Sequence, residues 1–100
     1  MRLLAGLTLV TSVFAISASY AAGVGESCGG FVGIRCEAGL FCDPVPGQCG
    51  VADASGKCVK VAQMCPQVFI PVCGCNGKTY SNDCVRVRNR VAKRSDGKCG

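Results

Sequence analysis

Cysteine makes up ten of the 100 residues, and this restricts the fold more than any other feature of the sequence. So high a density in a short chain is typical of a scaffold held together by disulfides. The number is even, so every cysteine can be paired. A chain of this length, divided into two small lobes, buries too little apolar surface to fold comfortably without such bridges. We therefore expect a small disulfide-rich protein, with each bridge contributing about 2–4 kcal/mol.

Residues 1–21 have the pattern of a secretory signal peptide. Arg2 supplies a positive charge, residues 3–16 are mostly apolar, and residues 19–21 (Ser-Tyr-Ala) offer a cleavage site of the small-x-small type. The apolar run is shorter than the ~20 residues that a membrane-spanning helix needs. We therefore expect a secreted protein, periplasmic or extracellular, in a compartment where thiols oxidise.

Changes in composition divide the rest of the chain into four segments. Residues 22–27 are small and polar, which is typical of a flexible lead-in. Residues 28–49 hold four cysteines among glycines and prolines, with one short strand near residues 40–42. Residues 50–57 have the composition of a linker, and residues 58–100 hold the other six cysteines.

The last segment contains the strongest turn signal in the chain. Asn76-Gly77 lies between two short runs that favour β structure, residues 72–74 and residues 78–80. An Asn-Gly pair in this position predicts a β-hairpin.

A helix is predicted to follow, with Ser81 or Asn82 as its N-cap and Asp83 well placed in its first turn. Residues 95–97 are predicted to end it. Helical spacing places three apolar side chains on one face and five cations over most of the remainder. The apolar residues are Cys84, Val87 and Val91, and the cations are Arg86, Arg88, Arg90, Lys93 and Arg94.

The run from Val72 to Cys84 reads Val-Cys-Gly-x-Asn-Gly-x-Thr-Tyr-x-Asn-x-Cys and resembles the Kazal family of serine-protease inhibitors. The resemblance covers roughly Cys58 to Cys99. It implies a small disulfide-rich α+β module with a short β-hairpin or small sheet and one helix, preceded here by a small loop/β cysteine-rich lobe. It also implies an inhibitor of serine-type endopeptidases rather than an enzyme.

The resemblance implies a rigid protease-binding loop that is presented like a substrate. Its reactive bond would join Gln67 to Val68, and Asn82 would support the loop from the helix. Pro66 and Pro71 each fix one backbone angle, which lowers the entropy lost on binding. The loop would comprise six residues: Cys65, Pro66, Gln67, Val68, Phe69 and Ile70.

The loop leaves two questions open at the level of sequence. Phe69 and Ile70 could contact a protease, or they could close a small core. Gln67 carries no cation for the buried carboxylate of a trypsin-like pocket. We therefore expect subtilisin-like or elastase-like enzymes to be favoured over trypsin-like ones.

The cysteine pattern departs from the family at two places. Val87 stands where the family has its fifth cysteine, and Cys75 is additional. The family pattern implies the pairs Cys65–Cys84 and Cys73–Cys99. The simplest hypothesis then pairs Cys58, which has lost its partner on the helix, with Cys75.

The N-terminal cysteine-rich lobe looks like the small subdomain of insulin-like-growth-factor-binding proteins. The resemblance is carried by residues 36–42, Cys-Glu-Ala-Gly-Leu-Phe-Cys. It implies the pairs Cys28–Cys42 and Cys36–Cys49. Four cysteines allow three connectivities, and growth-factor binding does not follow from the frame.

Other chemistry has little support in the sequence. The chain has no histidine, the commonest general base and metal ligand, so we expect no enzyme activity and no cofactor. Cys73-Gly74-Cys75 is spaced less well for zinc than Cys-x-x-Cys, so we expect no metal.

The alternative function is a non-inhibitory cysteine-rich binding module whose basic helix contacts anionic surfaces. Arg86, Arg90 and Arg94 would then contact a polyanion, in a chain with a formal net charge of +5. No aromatic residues are interleaved with these cations, so nucleic-acid binding is not expected. In either case we expect a monomer.

Overall fold

The computed structural model describes residues 6, 8 and 20–100. Nearly all of the predicted signal peptide, residues 1–21, lies outside the described residues. Among the residues that are described, none belongs to a helix with the length and apolar character needed to cross a membrane.

Eight short strands and one helix make up the regular structure of the described part of the chain. In chain order they are β1 (Ala21–Ala22), β2 (Ser27–Gly29), β3 (Arg35–Cys36), β4 (Leu40–Pro44), β5 (Ser55–Lys60), β6 (Val72–Gly74), β7 (Thr79–Tyr80), α1 (Asp83–Arg88) and β8 (Lys93–Asp96).

The N-terminal unit, residues 20–60, is built on an antiparallel sheet with the strand order β2-β5-β4. Strand β5 is central, and Cys58 lies opposite Cys42 of β4. The predicted linker, residues 50–57, is therefore wrong in its second half. Gly56 and Cys58 point inward while Lys57 between them is exposed, so these residues have the two-residue period of a strand with one buried face.

The predicted flexible lead-in, residues 22–27, is also part of the folded unit. Ala22 is fully buried, and β1 pairs in parallel with β3. Gly25 donates its backbone N–H to the carbonyl of Cys58 at 2.8 Å, and Cys58 donates to Glu26 at 2.9 Å. These bonds fix the segment against β5, and its small polar composition gave no sign of them.

The C-terminal unit, residues 61–100, contains the sheet β7-β6-β8 with α1 beside it. The hairpin β6–β7 forms as the Asn-Gly pair predicts, and Gly77 adopts the positive φ of 80° that the turn requires. All three residues of β6 are buried. A small disulfide-rich α+β fold with a short hairpin and one helix is thereby confirmed.

The helix is shorter than predicted. It ends at Arg88, the cap Asn89 donates its side-chain N–H to the carbonyl of Val85 at 2.7 Å, and Arg90 has a left-handed φ of 55°. The chain then turns back as β8, which pairs with β6. A two-stranded hairpin alone is only marginally stable. Pairing β8 with β6 as a third strand therefore stabilises this unit more than another turn of α1 would.

Five disulfides join all the cysteines, and three are the pairs that the resemblances implied: Cys28–Cys42, Cys65–Cys84 and Cys73–Cys99.

The expected pairs Cys36–Cys49 and Cys58–Cys75 are wrong. The structure instead has Cys36–Cys58 and Cys49–Cys75. The cause is β5, which carries Cys58 into the centre of the N-terminal unit, where Cys36 is its neighbour. Cys49 is left facing Cys75, and their disulfide joins the two units.

Gly56 provides a test of the place of β5 in the sheet. A methyl group added there would lie 2.6 Å from the carbonyl carbon of Asp43 and 2.8 Å from Cα of Pro44. Backbone atoms cannot yield cheaply, so Gly56→Ala is expected to lower the free energy of unfolding by about 1–3 kcal/mol. Guanidinium denaturation with the disulfides intact measures this change.

Gly23→Ala is the matched control, because its added methyl group would meet the flexible Glu26 side chain at 3.2 Å. We expect a change within about 0.5 kcal/mol there. Equal effects at the two positions would contradict the central place of β5.

Candidate functional site

The 65–70 loop has no regular secondary structure and lies on the surface of the C-terminal unit. Phe69 and Ile70 are each 67% exposed, and Val68 is also exposed. The alternative that Phe69 and Ile70 close a core is therefore wrong. The ammonium group of Lys98 lies 5.7 Å from the centre of the Phe69 ring, which is a cation–π contact at the surface.

Both ends of the loop are tied to more rigid structure. The disulfide Cys65–Cys84 joins its first residue to α1. Ile70 donates its backbone N–H to the carbonyl of Ser81 at 2.8 Å, and Gly97 donates to the carbonyl of Pro71 at 2.8 Å. The exposed residues between these ties are thus a short span between two fixed points.

The middle of the loop is held by one side chain, Asn82. Its amide nitrogen donates to the carbonyl of Pro66 at 3.1 Å and to that of Val68 at 2.8 Å. These two carbonyls lie on either side of Gln67. Asn82 is only 5% exposed, so its amide exchanges few bonds with water and holds a defined orientation.

The side-chain amide of Asn82 also caps the N-terminus of the helix. Asn82 has an extended backbone, with φ −165° and ψ 172°, and its side-chain oxygen accepts the backbone N–H of Val85 at 3.0 Å. The sequence left Ser81 and Asn82 open as N-cap candidates, and Asn82 is the residue that caps the helix. A single asparagine therefore fixes α1 and the 65–70 loop to each other, because its oxygen serves the helix and its nitrogen serves the loop.

A cleft of about 400 Å³ separates the loop from the helix, with Ser81, Val85 and Arg88 on its helical side. The loop is therefore not packed flat against α1. Its conformation depends on the specific bonds to Asn82 and Ser81 and on the Cys65–Cys84 disulfide.

Asp83, at the start of α1, is charged and paired. Partial burial by itself raises the pKa of its carboxyl group, but hydrogen bonds from Lys93 and Arg86 outweigh burial and hold the pKa below its usual range. The nitrogen–oxygen distances are 3.0 Å to Lys93 and 2.9 Å to Arg86.

The predicted basic face does not exist as one surface. Arg86 is 3% exposed and forms an ion pair with Asp43, so it is not available to a polyanion. Arg90 lies beyond the helix and donates to the carbonyl of Leu40 at 3.1 Å. Arg94 lies on β8. The expectation of polyanion contact through these three residues is wrong for Arg86, because a carboxylate 43 residues away in the sequence takes its guanidinium.

The sulfur atoms of Cys28, Cys36 and Cys58 lie within 4.8 Å of one another. All three belong to disulfides, Cys28–Cys42 and Cys36–Cys58, so they offer no thiolate to a metal ion.

Two residues of importance to the site were missed by sequence reasoning. Asp43 gave no signal of its own within the turn-rich segment. Arg86 was read as one of several exposed cations.

Comparison with known families agrees with the geometry. Residues 57–99 match the family model of the Kazal-type serine protease inhibitor domain. This segment is a Kazal-type domain. It contains the 65–70 loop, Asn82, α1 and the sheet β7-β6-β8.

Three known proteins are similar to this part of the chain. Ovoinhibitor from Gallus gallus is 44% identical in an alignment 41 positions long that covers 35% of this chain and 8% of that protein. Serine protease inhibitor Kazal-type 1 from Bos taurus is 48% identical over 29 residues, 29% of this chain and 37% of the relative. Kazal-type trypsin inhibitor from Aedes aegypti is 43% identical over 35 residues, 35% of this chain and 38% of the relative. The chain thus spans well under half the length of each of these three.

Two substitutions at Asn82 separate support of the loop from capping of the helix. Asn82→Ser keeps a capping oxygen but removes both donors to the loop. Asn82→Asp also keeps the cap, and it turns an acceptor oxygen toward the carbonyls of Pro66 and Val68. We expect the Asp variant to be less stable than the Ser variant, and each to lose about 1–3 kcal/mol of unfolding free energy at neutral pH.

Denaturant unfolding at two pH values measures the difference. At about pH 3, below the usual pKa of an aspartate, the introduced carboxyl group is protonated and can donate to one carbonyl. The deficit of the Asp variant relative to the Ser variant should then shrink. If both variants match the unsubstituted protein at neutral pH, the two bonds to the loop contribute nothing.

Proposed function

We propose that the chain is an exported inhibitor of serine-type endopeptidases that presents the 65–70 loop as a substrate. The bond offered to the protease is Gln67–Val68. The observation that carries the proposal is the pair of hydrogen bonds from Asn82 to the carbonyls of Pro66 and Val68, one on each side of Gln67.

A loop ordered before binding loses little conformational entropy in the complex. The ties at Cys65, Asn82 and Ile70 supply that order here. Catalysis needs a substrate that changes geometry as its bond is cleaved, so a loop that resists this change is cut slowly.

The same ties hold both new ends after a cut. The new carboxyl end would remain joined to α1 through the Cys65–Cys84 disulfide, two residues before the bond. The new amino end would remain joined through Asn82 and through Ile70 to Ser81. Because neither end can leave, closure of the bond competes with release of the protein.

The exposed surface of the loop sets the class of protease. Gln67 offers an uncharged amide to the specificity pocket, and the next three residues are apolar and exposed. A pocket that buries a carboxylate would keep that charge unpaired, which is costly. Subtilisin-like and elastase-like enzymes are therefore favoured over trypsin-like ones.

Secretion is part of the proposal. Five disulfides require an oxidising compartment, and residues 1–21 have the signal-peptide pattern. The similar proteins are named as inhibitors, which supports an inhibitory rather than an enzymatic role for this chain. We propose that it acts as a monomer and without a cofactor.

The alternative of a non-inhibitory module that binds anionic surfaces through its basic helix lacks a supporting observation. It depended on a continuous cationic face, and the burial of Arg86 removes one of the three arginines that would form it. We do not propose it as a second function.

Titration of the oxidised protein against subtilisin, elastase, chymotrypsin and trypsin tests the proposal. We expect stoichiometric loss of activity with subtilisin or elastase and weak or no inhibition of trypsin. Gln67→Lys should strengthen trypsin inhibition by at least about a hundredfold, because a lysine pairs with the carboxylate of that pocket. The residual activity of each protease, measured at increasing inhibitor concentration, gives its inhibition constant.

Gln48→Lys is the matched control, since it adds the same charge at another exposed position, in the N-terminal unit. It should leave every inhibition constant unchanged. Failure to inhibit any of the four enzymes, or an equal effect of the two lysine substitutions on trypsin, would overturn the proposed role of Gln67.

A further inference from the structure

We propose that Asp43, in the N-terminal unit, is a positioning residue for the inhibitory loop and acts on it through Arg86 and Asn82. The inference rests on the proposed function for its consequence in inhibition. Its structural part, from Asp43 to the loop, can be tested without any protease.

Arg86 is the point at which the two units meet electrostatically. Its guanidinium group makes two parallel bonds to the carboxylate of Asp43, each 3.0 Å long. It also donates to the carboxylate of Asp83 at 2.9 Å and to the carbonyl of Val91 at 2.7 Å. Arg86 is therefore fixed in one orientation by three separate partners.

The side chain of Arg86 is buried, so its positive charge needs partners of opposite charge. Burial lowers the pKa of the guanidinium group, but the hydrogen bonds that it donates to Asp43 and, next, to Asp83 outweigh burial and raise the pKa. The group stays charged, so its burial has to be compensated by negatively charged partners. Removing Asp43 would leave Arg86 with one carboxylate, that of the exposed Asp83, and the surrounding structure must then shift or admit water.

The hydrogen bonds that connect Arg86 to the 65–70 loop span one helical turn. The backbone N–H of Arg86 donates to the carbonyl of Asn82 at 3.1 Å. The side chain of Asn82 then holds the carbonyls of Pro66 and Val68. A shift of Arg86 toward water would therefore move the residue that orients both carbonyls beside Gln67.

Apart from Arg86, the helix forms one ion pair with the rest of the described part of the protein, from Asp83 to Lys93 of β8 at 3.0 Å. Its cysteine, Cys84, is joined to Cys65 at the start of the loop itself, so this disulfide binds helix and loop together without anchoring the pair. The resemblance in the sequence places a further cysteine at position 87, where this chain has valine. In this chain the ion pair of Arg86 with Asp43 joins the helix to the N-terminal unit.

Besides the ion pair, three more contacts fix the two units against each other. Cys49 is bonded to Cys75, Gly47 donates to the carbonyl of Lys93 at 3.0 Å, and Arg90 donates to the carbonyl of Leu40. They hold the unit that carries Asp43 against the β6–β7 turn, against β8 and against the chain that follows α1. Asp43 can therefore act as a fixed support and not as a mobile partner.

The first test compares Asp43→Asn with Glu26→Gln. The control also removes one carboxylate from the N-terminal unit, but Glu26 bonds to Tyr20 and Gly23 and does not touch the helix. The readout is the hydrogen-exchange rate of the Asn82 side-chain amide, measured by NMR on the oxidised protein. We expect Asp43→Asn to speed this exchange about tenfold, the effect of losing a hydrogen bond to a charged group, and Glu26→Gln to leave it unchanged.

A conservative variant separates positioning from general loss of stability. Asp43→Glu keeps the charge and should restore most of the protection of the Asn82 amide. Should Asp43→Asn fail to form the five native disulfides, Arg86→Lys gives the same comparison, since it keeps the charge but loses the parallel pair of bonds. Unchanged exchange at Asn82 in the folded variant, or an equal increase in Glu26→Gln, would overturn the proposal.

The consequence for inhibition is measured on the same proteins. With subtilisin, Asp43→Asn should be cut after Gln67 about tenfold faster than the unsubstituted protein, while Glu26→Gln is cut at the original rate. An unsubstituted protein that inhibits no protease would refute the proposed function and leave the NMR comparison intact. Changed exchange at Asn82 with unchanged cutting would show that Asp43 positions Asn82 but has no effect on inhibition, which overturns this part of the inference.

Discussion

Disulfides take the place of a hydrophobic core in this protein, and the other features of the structure depend on them. The largest side chains that are completely buried among the described residues are three cysteines, Cys28, Cys58 and Cys73. The apolar cluster of the N-terminal unit is formed around two of them. So small a core cannot fix two units against each other, and the disulfide Cys49–Cys75 does so covalently.

Within that frame, short polar contacts set the geometry of the exposed surface. Asn82 is the clearest example, because its oxygen caps the helix while its nitrogen holds the loop. Arg86 continues the connection to Asp43 in the other unit. Both side chains are buried, and each of their nitrogen and oxygen atoms has a hydrogen-bond partner, which makes them rigid where an exposed ion pair would be mobile. The 65–70 loop, which has three exposed apolar residues and no regular secondary structure, is thereby held in one conformation.

Local features of the sequence could be predicted, and features set by distant partners could not. The Asn-Gly pair was sufficient for the β6–β7 hairpin, and the capping residues Ser81 and Asn82 located the start of the helix to within one residue, since both features are decided locally. The end of the helix depends on pairing between β6 and β8. The helical spacing of Val87 and Val91 instead favoured a longer helix. The partners of Cys36 and Cys49 depend on β5, and the burial of Arg86 depends on a carboxylate in another unit.

The central claim, that the Gln67–Val68 bond is presented like a substrate but held so that it closes again, is tested most directly by mass spectrometry of the protein incubated with catalytic amounts of subtilisin. The account predicts slow conversion to a form heavier by one water, cut after Gln67, at a constant ratio to the intact form. The purified cut form should return to the same ratio when the enzyme is added. Rapid and complete cleavage, cleavage mainly at other bonds, or no return from the cut form would contradict the account.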